Sequence, residues 1–301
     1  MAAPLGTLVG ALPWNSPGKT DLIVETIFLV LDFVSMGLRL WSRLLQRMPL
    51  QVNDILNIIA LALLTARYTI EMSLVLKCGL GLHVDEVTRI GGPDMVILFR
   101  KLTYVIDLMW LTLVALIKIS ILHFYIMTFR NKTFMYVGYA VMGIAIAFWT
   151  AAFFSDAFFC IPPEKSWLPD TPGHCGNSST IYIVLASTDL AIDIIIIALP
   201  MPILWGLQLP TAKKISLTFI FGLGFIIIAI TSIRIKFFSD LDPSDITYTF
   251  SKIALLSSLV PLLGIINANL PIMAPAFKKM FDSSLLSSTL KRSDNTGSSS
   301  N

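Results

Sequence analysis

The sequence predicts an all-α fold: a bundle of seven membrane-spanning helices, N-terminus outside or lumenal and C-terminus cytosolic. Three observations carry this. Of 301 residues, 55% are hydrophobic and only 14% charged, with mean hydropathy +0.77, whereas soluble domains run near about 25% charged. Seven stretches approach the roughly 20 mostly apolar residues that cross a bilayer. Lys and Arg fall unevenly between the two sets of connecting loops. This composition argues against a soluble enzyme. A net charge of +3 without a basic block gives no footing for nucleic acid.

The elements follow in order. Residues 1–21 form a short extracellular or lumenal N-terminus. It lacks a basic leader region and is broken by Pro13 and Pro17, so the first helix, and no cleaved signal, serves as anchor. Spans are expected at 22–40, 54–76, 97–128, 134–160, 179–205, 213–238 and 250–274, which makes 22–274 one membrane domain. The third is longer than a bilayer requires, so it projects or tilts. Residues 275–301, polar and Ser-rich, read as a disordered cytosolic tail. No convincing internal repeat supports an inverted-repeat transporter.

Seven spans put the termini on opposite sides. One set of loops holds Arg39, Arg43, Arg47, Arg130, Lys132, Lys213, Lys214, Lys278, Lys279, Lys291 and Arg292. The other holds Lys19, Lys77, Arg89 and Lys165, joined by Arg100, Lys101, Arg234, Lys236 and Lys252 at helix ends. The positive-inside rule gives the first set to the cytosol. Cys160, Cys175 and the sequon Asn177-Ser178-Ser179 then lie outside, where oxidation and glycosylation at Asn177 are possible. The sequon at Asn131 faces the cytosol and stays unmodified.

Ionisable side chains inside a membrane are costly and mark function. Glu25 and Asp32, Arg67 and Glu71, Asp107, Lys118 and His123, Asp156, Asp189 and Asp193, Arg234 and Lys252 fall within expected spans. Arg67, Glu71, Asp107, Asp156, Arg234 and Lys252 lie at depths that suit one outward-facing polar cavity, closed below by apolar packing. Arg67 and Glu71, four residues apart, share a helix face and can pair. Asp189 and Asp193 repeat that spacing with like charge, so they require a cation or a proton. Three readings follow: pairing with Arg67 or Arg234 to set helix register, contact with a polar ligand, or catalysis, with Asp193 the general acid and Asp189 its neighbour. A metal site has no support, because no His accompanies the pair. His83 reads as a solvated loop residue or, less readily, a ligand contact.

Cys160 and Cys175 bracket 14 residues. A disulfide there would close a lid over the cavity, and the loop-closure estimate is about 3 kcal/mol. The rival pairing joins Cys78 to either one.

Several blocks carry a family likeness: GLGLH at 79–83, LIKISILHFYIMTF at 116–129, FFCIPPEKSW through GHC at 158–175, TDLAIDIIIIALPMPILWGLQLPTAKK at 188–214, FGLG at 221–224 with Arg234, and ANLPIMAPAF at 268–277. In order and spacing they resemble the fungal rhodopsin-like integral membrane protein family, which includes a satratoxin-cluster membrane protein and Pth-type receptors. Asn53-Asp54 departs from the paired acids common there, and the tail is shorter than in many members. The resemblance implies a multi-pass protein of the plasma membrane or endoplasmic reticulum, associated with secondary-metabolite biosynthesis. It would bind or transform a lipophilic small molecule; a receptor-like sensor or a structural membrane subunit are the alternatives. No cofactor is expected. A retinal Schiff base needs a lysine in the middle of the seventh helix, where Leu259-Val260-Pro261 stand.

Overall fold

The computed structural model describes residues 16–129, 131–202, 211–239 and 245–296. Arg130 and the expected end of the fifth span at 203–205, with Trp205, lie outside the described residues, as do the side chains of Lys213, Lys214, Lys278, Lys279, Lys291 and Arg292. Eight α-helices are described: α1 Ser16–Leu45, α2 Val52–Lys77, α3 Val84–Gly91, α4 Pro93–Thr128, α5 Lys132–Ala157, α6 Ser178–Ala198, α7 Thr211–Ser239 and α8 Ile246–Thr296. A two-stranded antiparallel ribbon, β1 Cys160–Ile161 and β2 His174–Cys175, lies between α5 and α6.

Six helices, α2 and α4–α8, are long and apolar enough to cross a membrane. The chain is a multi-pass membrane protein. Helix α1 falls outside that group because it carries Lys19, Asp21, Glu25, Asp32, Arg39 and Arg43. Their placement is instructive. Asp21, Glu25, Asp32, Arg39 and Arg43 are buried against the other helices, while Ile23, Ile27, Val30, Leu31, Val34 and Leu44 face outward. The apolar face is the exposed one, as lipid contact demands and water would penalise. Arg39 and Arg43, expected among loop cations, are therefore inward-facing helical residues.

Local chemistry explains the boundaries. Asn131 and Asn177 cap α5 and α6 by accepting the backbone N–H groups of Thr133 at 3.0 Å and Thr180 at 3.3 Å. Helix α3, within a stretch expected to be loop, ends at Gly92, whose φ of 74° suits glycine. Pro93 then opens α4 at a position that needs no N–H donor. At 36 residues, α4 is about 54 Å long at 1.5 Å per residue, so it overshoots the bilayer core as its length predicted.

Helix α1 packs chiefly on α8, α2 on α4, α4 on α5 and α7 on α8. Leu29, Leu61, Leu64, Leu113, Ile117 and Ile265 form a core shared by α1, α2, α4 and α8. Gly138 lets α5 approach α4 closely, since a Cβ there would stand 2.7 Å from Ile126 Cγ1.

Candidate functional site

At the ribbon end of the bundle, α2, α4, α5, α6, α7 and α8 enclose a cavity of about 780 Å³, counting its open mouth. Arg67, Glu71, Asp107, Asp156, Asp189 and Arg234 all line it. Five helices thus bring together six residues singled out in the sequence. The remaining wall is mainly aromatic and aliphatic: Trp110, Phe148, Phe238, Phe250 and Ile253.

One wall is an ionic cluster. Arg67 Nη2 lies 2.7 Å from Glu71 Oε2, one helical turn away, and Nη1 lies 4.0 Å from Glu25 Oε1. Ser258 on α8 ties the pair across the bundle. Its hydroxyl accepts from Arg67 at 2.8 Å and lies 3.2 Å from both Glu71 oxygens. All three side chains are buried.

The opposite wall centres on Arg234. Its guanidinium sits 4.0 Å above the Trp110 ring, a cation–π arrangement. Trp110 is itself held by donating Nε1–H to the Ser257 carbonyl at 2.7 Å. Tyr182 stacks on Phe238 with ring centres 4.8 Å apart and donates its hydroxyl to Asp107 at 3.4 Å. Among the described residues, Arg234 Nε and Asp156 Oδ2 are buried without a hydrogen-bond partner, a donor and an acceptor that a ligand could engage.

Beneath Asp189 lies Lys118, which lines the neighbouring spaces and not this cavity. Its ammonium lies 2.5 Å from Asp189 Oδ1, 3.0 Å from Asp193 Oδ1 and 3.2 Å from the Asp189 carbonyl. The cation that the Asp189–Asp193 spacing requires comes from α4, and neither Arg67 nor Arg234 supplies it. Asp193 does not line the ribbon-end cavity. It lines a second one of about 550 Å³ on the far side of Lys118, with Tyr125 and Asn267.

Lys252 is exposed, 6.0 Å over the Phe237 ring, and is not among the residues lining either cavity. Cys160 and Cys175 are disulfide-bonded, and Cys78 is the buried free thiol. The loop they close is anchored beside the cavity. Trp167 packs on Tyr104 at 5.3 Å, and the Tyr104 hydroxyl donates to the Ala157 carbonyl at 2.9 Å. Among the described residues no cluster of three or more His, Cys, Asp or Glu is placed to hold a metal.

Reasoning from sequence missed the partners supplied by other helices: Ser258, Tyr182, Trp110 and Asp245. His83 is not a merely solvated loop residue. Its Nδ1 is hydrogen-bonded to Asp245, its ring stacks on Tyr248 at 4.3 Å, and the Val84 N–H donates to the same carboxylate at 2.9 Å. The Gly81 N–H donates to the Thr247 carbonyl at 2.9 Å. The GLGLH segment is thereby pinned to the start of α8. The dipeptide Gly-Leu repeated before a His is a local signal for a shaped turn, but nothing local names Asp245.

The fungal rhodopsin domain model matches residues 38–279. A SAT4 family membrane protein of Emericella nidulans is 30% identical over 35% of this chain and 28% of its own length. A polyenoic acids biosynthesis gene cluster protein, Ba17b of Metarhizium anisopliae, is 23% identical over 69% of this chain and 58% of its own. The chain thus spans less than two thirds of either relative. No solved structure shows significant similarity. The match over most of the chain, on a helical bundle of apolar spans, makes this protein a member of the fungal rhodopsin domain family.

Proposed function

We propose that the protein is a seven-span component of fungal secondary metabolism that binds a lipophilic small molecule in the ribbon-end cavity. In this reading α1 is the seventh span, and the ribbon end, with Asn177, faces the exterior or the lumen. The C-terminus is cytosolic, and the membrane is the plasma membrane or the endoplasmic reticulum. The inward polar face and outward apolar face of α1 support the seventh span. The observation that carries the ligand reading is the Arg234–Trp110 wall. It offers polar atoms at Arg234 and Asp156, unpartnered among the described residues, beside the aromatic and aliphatic part of the lining, the pattern of small-molecule sites. The ligand would pair an apolar body with hydroxyl, carbonyl or amine groups. The printed name of the Metarhizium relative, from a biosynthetic gene cluster, supports the metabolic setting.

No retinal enters this reading, because the middle of the membrane-spanning part of α8, Leu259-Val260-Pro261, has no lysine. Lys252 has no part in the ligand site. Asp193 remains the candidate general acid with Asp189 beside it, and Lys118 must release one carboxyl before either can serve a substrate.

The test is an untargeted metabolite comparison of the native host, a deletion strain, Arg234→Met and Asp193→Asn, each at normal protein level. A product lost in the deletion and in Arg234→Met supports the cavity. Accumulation of one intermediate in Asp193→Asn assigns chemistry to it. An unchanged profile overturns the reading in favour of a structural subunit, and a broad shift following transcript levels favours a sensor.

A further inference from the structure

Lys118 lies between two cavities, one toward the ribbon end and one on its far side. Asp189 lines the ribbon-end cavity, and Lys118 and Asp193 line the far-end one. A third, smaller space lined by both Lys118 and Asp189 shares Trp110 and Phe148 with the first and Val114 with the second. From the ribbon end to the far end, the spaces therefore meet at one ion-paired group of three side chains.

That group is unbalanced. One ammonium serves two carboxyls, and its three hydrogens match three acceptors: Asp189 Oδ1, Asp193 Oδ1 and the Asp189 carbonyl. Among the described residues, Asp189 Oδ2 is buried with no hydrogen-bond partner. With both carboxyls ionised these three side chains carry one net negative charge inside the membrane, facing the Arg234 guanidinium that lines the same cavity as Asp189, and such a buried charge is disfavoured. With one proton the group is neutral. Two carboxyls four residues apart on α6 then share that proton, one facing each cavity. Polar atoms unpartnered among the described residues stand on both sides, Asp156 Oδ2 and Arg234 Nε at the ribbon end and Asn267 Oδ1 at the far end, and water would satisfy them.

We infer that Lys118, Asp189 and Asp193 form a proton relay that conducts protons between the two ends of the bundle. A hydronium in the ribbon-end cavity gives its proton to the Asp189 carboxylate and leaves a water. The Lys118 ammonium, keeping all three of its protons, shifts its pairing to Asp193. The Asp193 carboxylic acid passes its proton to a water of the far-end cavity and becomes the carboxylate that Lys118 needs. One proton enters and one leaves; the triad is neutral before and after, and carries one extra positive charge between the two transfers. The driving force is a pH gradient or a membrane potential. The proton then returns from Asp189 to Asp193 past the Lys118 ammonium, which contacts both carboxyls.

The inference does not rest on the small-molecule reading, and its assay needs no ligand. The full chain is reconstituted into phosphatidylcholine and phosphatidylglycerol vesicles loaded with the pH dye pyranine. A potassium gradient with valinomycin sets the potential. Proton entry faster than in protein-free vesicles, and its loss in Asp193→Asn, is the expected result. That variant keeps Lys118 paired with Asp189, so their ion pair stays assembled, and Asp193→Glu should restore entry. Lys118→Met, which leaves two buried carboxyls without a cation, is a second variant expected to conduct no faster than empty vesicles. Circular dichroism and elution as a single species qualify each preparation. Wild-type vesicles no faster than empty ones, or Asp193→Asn conducting like wild type, overturns the relay. Either failure leaves the metabolite comparison untouched.

Discussion

Arg39 on α1 and Asp54 on α2 form a 2.7 Å ion pair with 1% and 0% of their side-chain surfaces exposed, at the end of the bundle opposite the ribbon. The pair is a hub. Arg43 reaches the second oxygen of Asp54 at 3.1 Å. Arg39 also donates to the Ala268 carbonyl at 2.7 Å and to Asn269 at 3.1 Å, and Asn269 donates to Ser35 at 2.7 Å. Helices α1, α2 and α8 are joined here by charge-assisted bonds, where apolar contact alone gives little directional preference in lipid.

Asp54→Ala should therefore be severe. It leaves two buried guanidinium groups without a carboxylate, a loss of about 3–5 kcal/mol. Thermal melting in detergent, followed by size-exclusion fluorescence, checks this. A melting temperature like that of wild type would show that the hub contributes nothing to stability.

Cysteine labelling should separate the three thiols. Cys78 is fully buried, and burial pushes its thiol up to about 11. At pH 8 only about one thiol in a thousand is thiolate, the reactive form. Native protein should take up no iodoacetamide, denatured protein one equivalent, and denatured, reduced protein three, by intact mass. Three equivalents without reduction would break the Cys160–Cys175 assignment.

Asp245→Ala should loosen the GLGLH segment without unfolding the bundle. It removes the acceptor for the Val84 N–H and the partner of His83, two interactions at the rim. Hydrogen exchange at residues 79–84 should accelerate, while α2 and α4 amides stay protected. Unchanged exchange would mean that the His83–Tyr248 stack and the Gly81–Thr247 bond hold the segment alone.

The two sequons provide an orientation test. Asn131 and Asn177 are both helix caps, which explains both asparagines without glycosylation. They lie at opposite ends of the bundle, so at most one meets the glycosylation machinery. Endoglycosidase should shift the gel mobility of wild type and of Asn131→Gln but not of Asn177→Gln. A shift lost only in Asn131→Gln reverses the proposed topology.

Gly138→Leu should disrupt the seam between α4 and α5, since even a Cβ would stand 2.7 Å from Ile126 Cγ1. Overpacking of a tight core costs about 1–3 kcal/mol. A lowered melting temperature, with Gly143→Leu as a control at a position with open space, checks it.

What the sequence determined by itself is what repeats along one helix. Runs of apolar residues specify spans through length and hydropathy, so α2 and α4–α8 were legible. The four-residue spacing of Arg67 and Glu71 placed both on one face, and they pair there. Helix α3 was not legible, because eight residues with two acids in the first turn look like any polar loop until Gly92 and Pro93 are placed.

Tertiary structure decided every pairing between helices. The spacing of Asp189 and Asp193 demanded a cation, but Lys118, Arg67 and Arg234 were equivalent in composition, and only the packing of α4 on α6 selects Lys118. The same packing puts Asp189 and Asp193 on different cavities, although one turn of one helix separates them. Sequence patterns report which face of a helix is polar. Which neighbour meets that face depends on helix order and rotation, which are set by the whole core and written in no single segment.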